Sequence, residues 1–206
     1  MTTDTTLVEF HFDFGSPNAW LTHAVLPAIA QRTGARVAHR PMLLGGVFKA
    51  TGNQSPMQSF GHLPSKMAWM NQATERFIAR FGVPYASNPH FPVNTLKLMR
   101  GAVWMQLRAD EAEFMRYVDA MFRHMWVEPK KMDEDDVIAA ALVESGFDAA
   151  AFFEGIGQPQ VKQGLIAATE QAAAAGVFGA PTCTVGDQVF FGKDDLDAME
   201  HYLTTL

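Results

Sequence analysis

The sequence predicts an α/β fold carrying a large helical insertion, and three observations support that prediction. A strand–turn–helix–strand pattern opens the chain, a strand–turn–strand–helix pattern closes it, and the long stretch between them reads as helices.

Leu7 to Phe14 alternates among β-formers, and Gly15-Ser16-Pro17 hands directly over to a helix-like run from Asn18 to about Thr33. Gly34 stops that helix, and Ala35 to Pro41 returns to an extended pattern. From Gly45 to about Gly176 the character changes. Helices are expected over Met67–Phe81, Asn94–Arg108, Glu111–Trp126, Asp135–Ser145 and Val161–Ala175. Pro84, Pro89 and Pro92 disfavour both helix and central strand, so Gly82 to Pro92 reads as a fixed loop that can wall a pocket. At the end, Gly179–Val185, the Gly186-Asp187 turn and Gln188–Phe191 form a hairpin, followed by Gly192 and a helix from about Lys193 to Tyr202. βαβ at one end and ββα at the other, separated by helices, is a thioredoxin-like arrangement. Its two halves are 1–44 and 177–206, and the helical insertion is 45–176.

Composition narrows the function. The chain has 206 residues, 48% hydrophobic and 18% charged, as a globular protein with a sizeable core requires. Its net charge is −6 and its basic residues are scattered, which offers no electrostatic footprint for nucleic acid. Met1 to Thr6 is polar and lacks the pattern of a secretory leader, and no apolar run approaches the ~20 residues that span a bilayer, so a cytoplasmic location without membrane association is expected. Cys183 is the single cysteine, which rules out an intramolecular disulfide and a cysteine-based zinc site.

Ser16 sits where the first strand meets the first helix. In this fold class that helix points its N-terminus at the substrate, so unpaired N–H groups and the positive dipole end favour an anion such as a thiolate. A redox protein would place two cysteines here, whereas this chain has Ser16, Pro17, Asn18 and Ala19. The plainer role for Ser16-Pro17 is N-cap and first helical residue, and it is compatible with the other if the hydroxyl rotates between backbone and ligand. Ala180-Pro181 opens the hairpin. In a thioredoxin-like fold a proline here is usually cis and turns the preceding residue's backbone toward the active-site turn, although it could simply begin an edge strand.

Six segments in order resemble the 2-hydroxychromene-2-carboxylate isomerases and the related kappa-class glutathione transferases, within the DsbA-like superfamily. They are Asp13-Phe14-Gly15-Ser16-Pro17, Phe48-Lys49-Ala50-Thr51-Gly52-Asn53, Leu63-Pro64-Ser65-Lys66, Phe81-Gly82-Val83-Pro84-Tyr85, Gly176 to Thr182, and Phe191-Gly192-Lys193-Asp194. The resemblance implies a glutathione-dependent isomerase in which Ser16 donates a hydrogen bond to the glutathione sulfur. Ala180, next to Pro181, would pair with the cysteinyl part of the tripeptide. Gly192, Lys193 and Asp194 would hold its γ-glutamyl end, and Asn53 and Lys66 would lie near its glycyl end. Lys49 and Tyr85 would face a small aromatic acid substrate. The implied reaction converts 2-hydroxychromene-2-carboxylate and trans-o-hydroxybenzylidenepyruvate reversibly into one another, and relatives of this kind imply a homodimer.

Other residues have plainer roles. Cys183 reads as a core residue, the seven histidines show no close metal-ligand spacing, and Trp69, Trp104 and Trp126 read as packing or interface anchors. Met42, Met57, Met67 and Met70 read as core filling, and Asp133 to Asp136 as a helix start. The competing functions are a transferase that consumes glutathione, a non-catalytic peptide-binding module on the same fold, and a disulfide oxidoreductase, which the missing Cys-X-X-Cys pair disfavours.

Overall fold

The structure is a computed structural model, which describes residues 5–206; the leader expectation for Met1–Asp4 lies outside them. The opening unit is β1 (Leu7–Phe12), α1 (Pro17–Thr33) and β2 (Arg36–Pro41). The closing unit is β3 (Thr182–Val185), β4 (Gln188–Phe191), a 3-10 turn at Lys193–Asp195 and α10 (Leu196–Thr205). They form one sheet of order β2-β1-β3-β4. β2 runs parallel to β1 with Phe10 opposite His39, and β3 is antiparallel to β1 with Phe10 opposite Cys183. This is the thioredoxin-like arrangement predicted from the sequence.

Between the halves lie α2 (Leu44–Thr51), α3 (Pro56–Phe60), α4 (Pro64–Phe81), α5 (Leu96–Leu107), α6 (Glu111–Trp126), α7 (Asp135–Glu144), α8 (Ala149–Gly157) and α9 (Pro159–Ala174). The five expected helices are present within a few residues of their predicted ends. Three short ones, α2, α3 and α8, were not expected. α3 has a capping box, with Ser55 accepting from the Gln58 amide and the Gln58 side chain reaching back to Ser55. α8 starts on Asp148, whose side chain accepts from the Ala151 amide.

One continuous core joins the sheet to the insertion. Phe10, Phe12 and Phe14 are fully buried, and the Phe14 ring lies 4.9 Å from Phe122 and 5.9 Å from Tyr117, both on α6. Glycine allows the insertion's helices to approach closely. A Cβ on Gly101 would sit 2.2 Å from the Tyr117 hydroxyl, and one on Gly155 would sit 2.3 Å from Trp104. A smaller cluster of Met42, Val47, Ala172 and Val177 fills the space where α2 meets α9.

Asp13 ties these parts together and is 1% exposed. Its Oδ1 accepts from the Gly15 amide at 2.8 Å and the Thr95 hydroxyl at 2.6 Å, and its Oδ2 accepts from the Leu44 amide at 2.8 Å. Leu44 opens α2, Thr95 stands at the N-cap position of α5, and Gly15 leads into α1, so the approaches to three helices meet on one carboxylate. Burial pushes this carboxyl above the usual aspartate range, and the three donors pull it back down.

Asp13→Ala would strand two part-buried amides and a buried hydroxyl, and we expect urea unfolding to show a loss of about 3 kcal/mol; a loss below about 1 kcal/mol would deny the carboxylate this role. The buried histidines set a pH dependence. Burial lowers His39 to about 3 and His124 to about 4, from an ordinary 6.5. Their stabilisation is complete above that ordinary value and is lost as pH falls through it, at about 1.4 kcal/mol per unit for each ring. Asp13, shifted upward, has the opposite sign: its contribution is present at acid pH and lost as pH rises. His11, which burial also lowers, adds in the same direction, so we expect the unfolding free energy to fall by about 1 to 3 kcal/mol from pH 7.5 to 5.5, and His124→Gln to remove roughly a third to a half of that fall.

Candidate active site

The site forms where β1 turns into α1. The Ser16 amide donates to the Asp13 carbonyl at 3.0 Å, which closes the turn and sets Ser16 as the N-cap of α1. Its hydroxyl has two partners: it accepts from the Ala19 amide at 3.2 Å and donates to the Ala180 carbonyl at 2.8 Å. The capping role expected from the sequence is therefore present, and the hydroxyl proton rests on the residue before Pro181. The Ala180-Pro181 bond is cis.

The end of α1 has a spare donor. Pro17 has no N–H, and the Ala19 and Trp20 amides donate back to Ser16. Among the described residues this leaves the Asn18 amide as the donor of the first turn without an acceptor, half-exposed beside Ser16. No side-chain motif marks this donor, because it is a backbone group.

The residues around Ala180 are organised by backbone contacts. The Asn53 side-chain amide, just beyond α2, donates to the Phe178 carbonyl at 2.8 Å, and the Gly192 amide donates to the Pro181 carbonyl at 3.0 Å. Gly192 has φ of 79°, which favours glycine, and the 3-10 turn starts from it. Lys193 does not project to solvent. It is 3% exposed, its Nζ lies 5.6 Å from the Phe77 ring centroid and 2.5 Å from Asp194 Oδ1, and Asp194 is left exposed. Asp195 Oδ2 accepts from the Phe191 amide at 3.1 Å and so fastens β4 to the same turn.

On the other side, the loop after α4 is fastened beside the turn near both of its ends, and α6 is fastened there as well. The Trp20 indole donates to the Pro84 carbonyl at 2.9 Å, the Trp126 indole donates to the Phe14 carbonyl at 2.7 Å, and Thr95 closes on Asp13. Tyr85 lies parallel to Trp126 with ring centroids 6.2 Å apart. Lys49, in the last turn of α2, is exposed, and Lys66 places its Nζ 3.5 Å from the Phe60 ring centroid. Neither lysine has a hydrogen bond or ion pair among the described residues. Thus Ser16 is bonded to Ala180 and Gly192 to Pro181, Asn53 is held on Phe178 two residues before Ala180, Lys193 and Asp194 pair with each other, and Tyr85 reaches the turn through Trp126.

Two other groups are chemically quiet. Burial pushes the Cys183 thiol up to about 12, so it stays protonated at physiological pH. His124, Glu128 and Glu144 come close enough to suggest metal ligation, but cations of the chain already serve the carboxylates. Arg123 lies 3.6 Å from Glu128 and 3.3 Å from Glu144, Lys130 pairs with Glu144, and His124 Nε2 bonds Ser145 at 2.9 Å. No helix among the described residues is long and apolar enough to cross a membrane.

A family model described as a DSBA-like thioredoxin domain matches residues 7–204. A 2-hydroxychromene-2-carboxylate isomerase from Sphingobium xenophagum is 32% identical over 97% of this chain and 98% of its own. Human glutathione S-transferase kappa 1 is 28% identical over 95% of this chain and 90% of its own. Among solved structures, a 2-hydroxychromene-2-carboxylate isomerase superposes with a TM-score of 0.82 at 26% identity, covering 97% of this chain and 95% of that one. A probable DsbA oxidoreductase from Streptomyces coelicolor, 18% identical over 97% of this chain and 89% of its own, shares the fold with a TM-score of 0.75. With the serine turn, the cis-proline edge and near full-length matches in agreement, the chain belongs to the DSBA-like thioredoxin-domain family, in its branch of 2-hydroxychromene-2-carboxylate isomerases and kappa-class relatives.

Proposed function

We propose that this chain is a glutathione-dependent isomerase that interconverts 2-hydroxychromene-2-carboxylate and trans-o-hydroxybenzylidenepyruvate, or a closely related aromatic acid pair. The observation that carries the reading is the Ser16 hydroxyl, held on the Ala180 carbonyl at a cysteine-free helix end that also has the spare Asn18 amide. A hydroxyl, a spare amide and the positive end of a helix dipole in the same first turn suit a sulfur anion, and a turn without cysteine gives the chain no redox couple there.

Glutathione, when bound, would supply the thiolate that adds reversibly to the conjugated double bond, so that rotation about the resulting single bond changes the geometry. The chain's residues hold and tune that sulfur. Ala180 presents its backbone to the cysteinyl unit, and Ser16 swings its proton from the Ala180 carbonyl to the sulfur while keeping its cap on Ala19. Asn18 adds a second donor. Asn53 and Lys66 serve the glycyl end and Gly192, Lys193 and Asp194 the γ-glutamyl end. Within that loop the buried Lys193 shapes the turn, and the exposed Asp194 meets the α-ammonium group. Lys49 steadies the carboxylate or developing enolate, with Tyr85 on the substrate side. The human kappa-class relative favours a second reading, a transferase that consumes glutathione. Turnover separates the two, because the isomerase leaves the glutathione concentration unchanged.

The test is calorimetric titration of glutathione into wild type and Ser16→Ala, with the thiolate absorbance of the bound tripeptide followed against pH. We expect binding with a depressed thiol pKa in wild type. Ser16→Ala should bring that pKa back up by about one unit, or ~1.4 kcal/mol, and should also cost about 1 kcal/mol of stability through the lost cap. Absence of binding at millimolar glutathione would overturn the assignment.

A further inference from the structure

The loop after α4 is built more firmly than a connector needs to be. Asn88 is 6% exposed, and its side-chain amide donates to the Met125 and Lys130 carbonyls at 3.1 Å each while its Oδ1 accepts from the His90 amide at 2.9 Å. The Ala86 amide donates to the Trp126 carbonyl at 2.7 Å, and the Phe91 amide donates to the Asn88 carbonyl at 3.2 Å. The loop is also attached to both flanks of the Ser16 turn, at Trp20 four residues beyond Ser16 and, through Thr95, at Asp13 three residues before it.

On this rigid support, four residues before Thr95, stands Phe91. It is 50% exposed, with its ring centroid 5.7 Å from that of Trp126. Trp126 is 2% exposed and bonded to the carbonyl of Phe14, so its ring is fixed two residues from Ser16. A mobile loop could turn such a phenylalanine inward. This one is held with half its surface in water, which costs hydrophobic free energy unless another apolar group covers it.

We infer that Phe91, backed by Trp126, against which Tyr85 also stacks, is a binding residue that stacks on the aromatic ring of the acid substrate and selects aromatic over aliphatic unsaturated acids. The inference rests on the isomerase reading above and adds to it a residue that sets substrate class. Trp126 links Phe91 to the Phe14 carbonyl beside the Ser16 turn, and offset or edge contacts between rings contribute beyond the area they cover. Because Phe91 is exposed and its backbone carries the loop's bonds, replacing its side chain leaves the support intact.

The test has two arms. In the first, KM for trans-o-hydroxybenzylidenepyruvate is measured with wild type, Phe91→Ala and Phe91→Tyr at saturating glutathione. We expect KM to rise about five- to tenfold in Phe91→Ala, with kcat, glutathione affinity and the bound thiol pKa unchanged, and Phe91→Tyr to restore KM. In the second arm, trans-o-hydroxycinnamate, an unreactive aromatic acid, is titrated calorimetrically into the same three proteins without glutathione, and the same order of affinities is expected. Failure of glutathione to bind would sink the isomerase reading while the second arm still decides the role of Phe91. Unchanged KM and unchanged cinnamate affinity in Phe91→Ala would overturn the inference, as would equal losses in Phe91→Ala and Phe91→Tyr.

Discussion

A carboxylate closed off from water must have its lone pairs met by the protein, and Asp13 meets that demand by gathering the starts of three helices. The Ser16 turn, the entry to α2 and the N-cap residue of α5 are thereby fixed to one another. α1 belongs to the sheet half of the fold and α5 to the insertion, so a single side chain sets the geometry between them. Three parts of the candidate site share that setting: Ser16 lies on one arm, Thr95 and the Phe91 loop on another, and α2 with Lys49 and, just beyond it, Asn53 on the third. Burial works against the ionised form that accepts these bonds, and the donors and three helix ends oppose it. The balance is local, and its effect is felt across both halves of the molecule.

The two ends of the chain were legible because their signals are local. Alternating β-formers, a Gly-Ser-Pro turn, Gly34 and the Gly186-Asp187 turn each act on neighbouring residues. α2, α3 and α8 were not expected, for reasons that lie elsewhere in the chain. α2 has two glycines in its first turn, and the lack of a side chain at Gly46 admits Thr169 of α9 at a distance a Cβ would forbid. α8 contains Gly155, which reads as a breaker until Trp104 is seen packed against it. α3 has only five residues, too few for a periodic pattern, although its capping box was present in the sequence.

The same division holds at the site. Ser16 and Ala180-Pro181 were found because a serine turn and a proline edge are short motifs, and the hydrogen bond between them follows from the fold. Asp13, Thr95 and Trp126 were not singled out for the site, since their partners lie 82 and 112 residues away in the chain. Nothing in the immediate neighbourhood of Trp126 announces that its indole will close on the Phe14 carbonyl. Asn18 was missed for a different reason: its contribution is a backbone amide, and it becomes distinctive only when Pro17 and the acceptors of Ala19 and Trp20 are counted together.

Cys183 lies on β3, two residues after the cis-proline, opposite Phe10 on one side and Phe190 on the other. Its thiol is nearly closed to solvent and pushed up to about 12. The sole cysteine of the chain is therefore chemically insulated from the turn where a foreign thiolate would be held. A protein that handles an activated sulfur beside its own reactive cysteine risks trapping itself as a mixed disulfide. With serine at the turn and the cysteine sealed in the sheet, no such dead end exists here, and oxidants or alkylating reagents that silence thiol enzymes meet no nucleophile of the chain's own at the site.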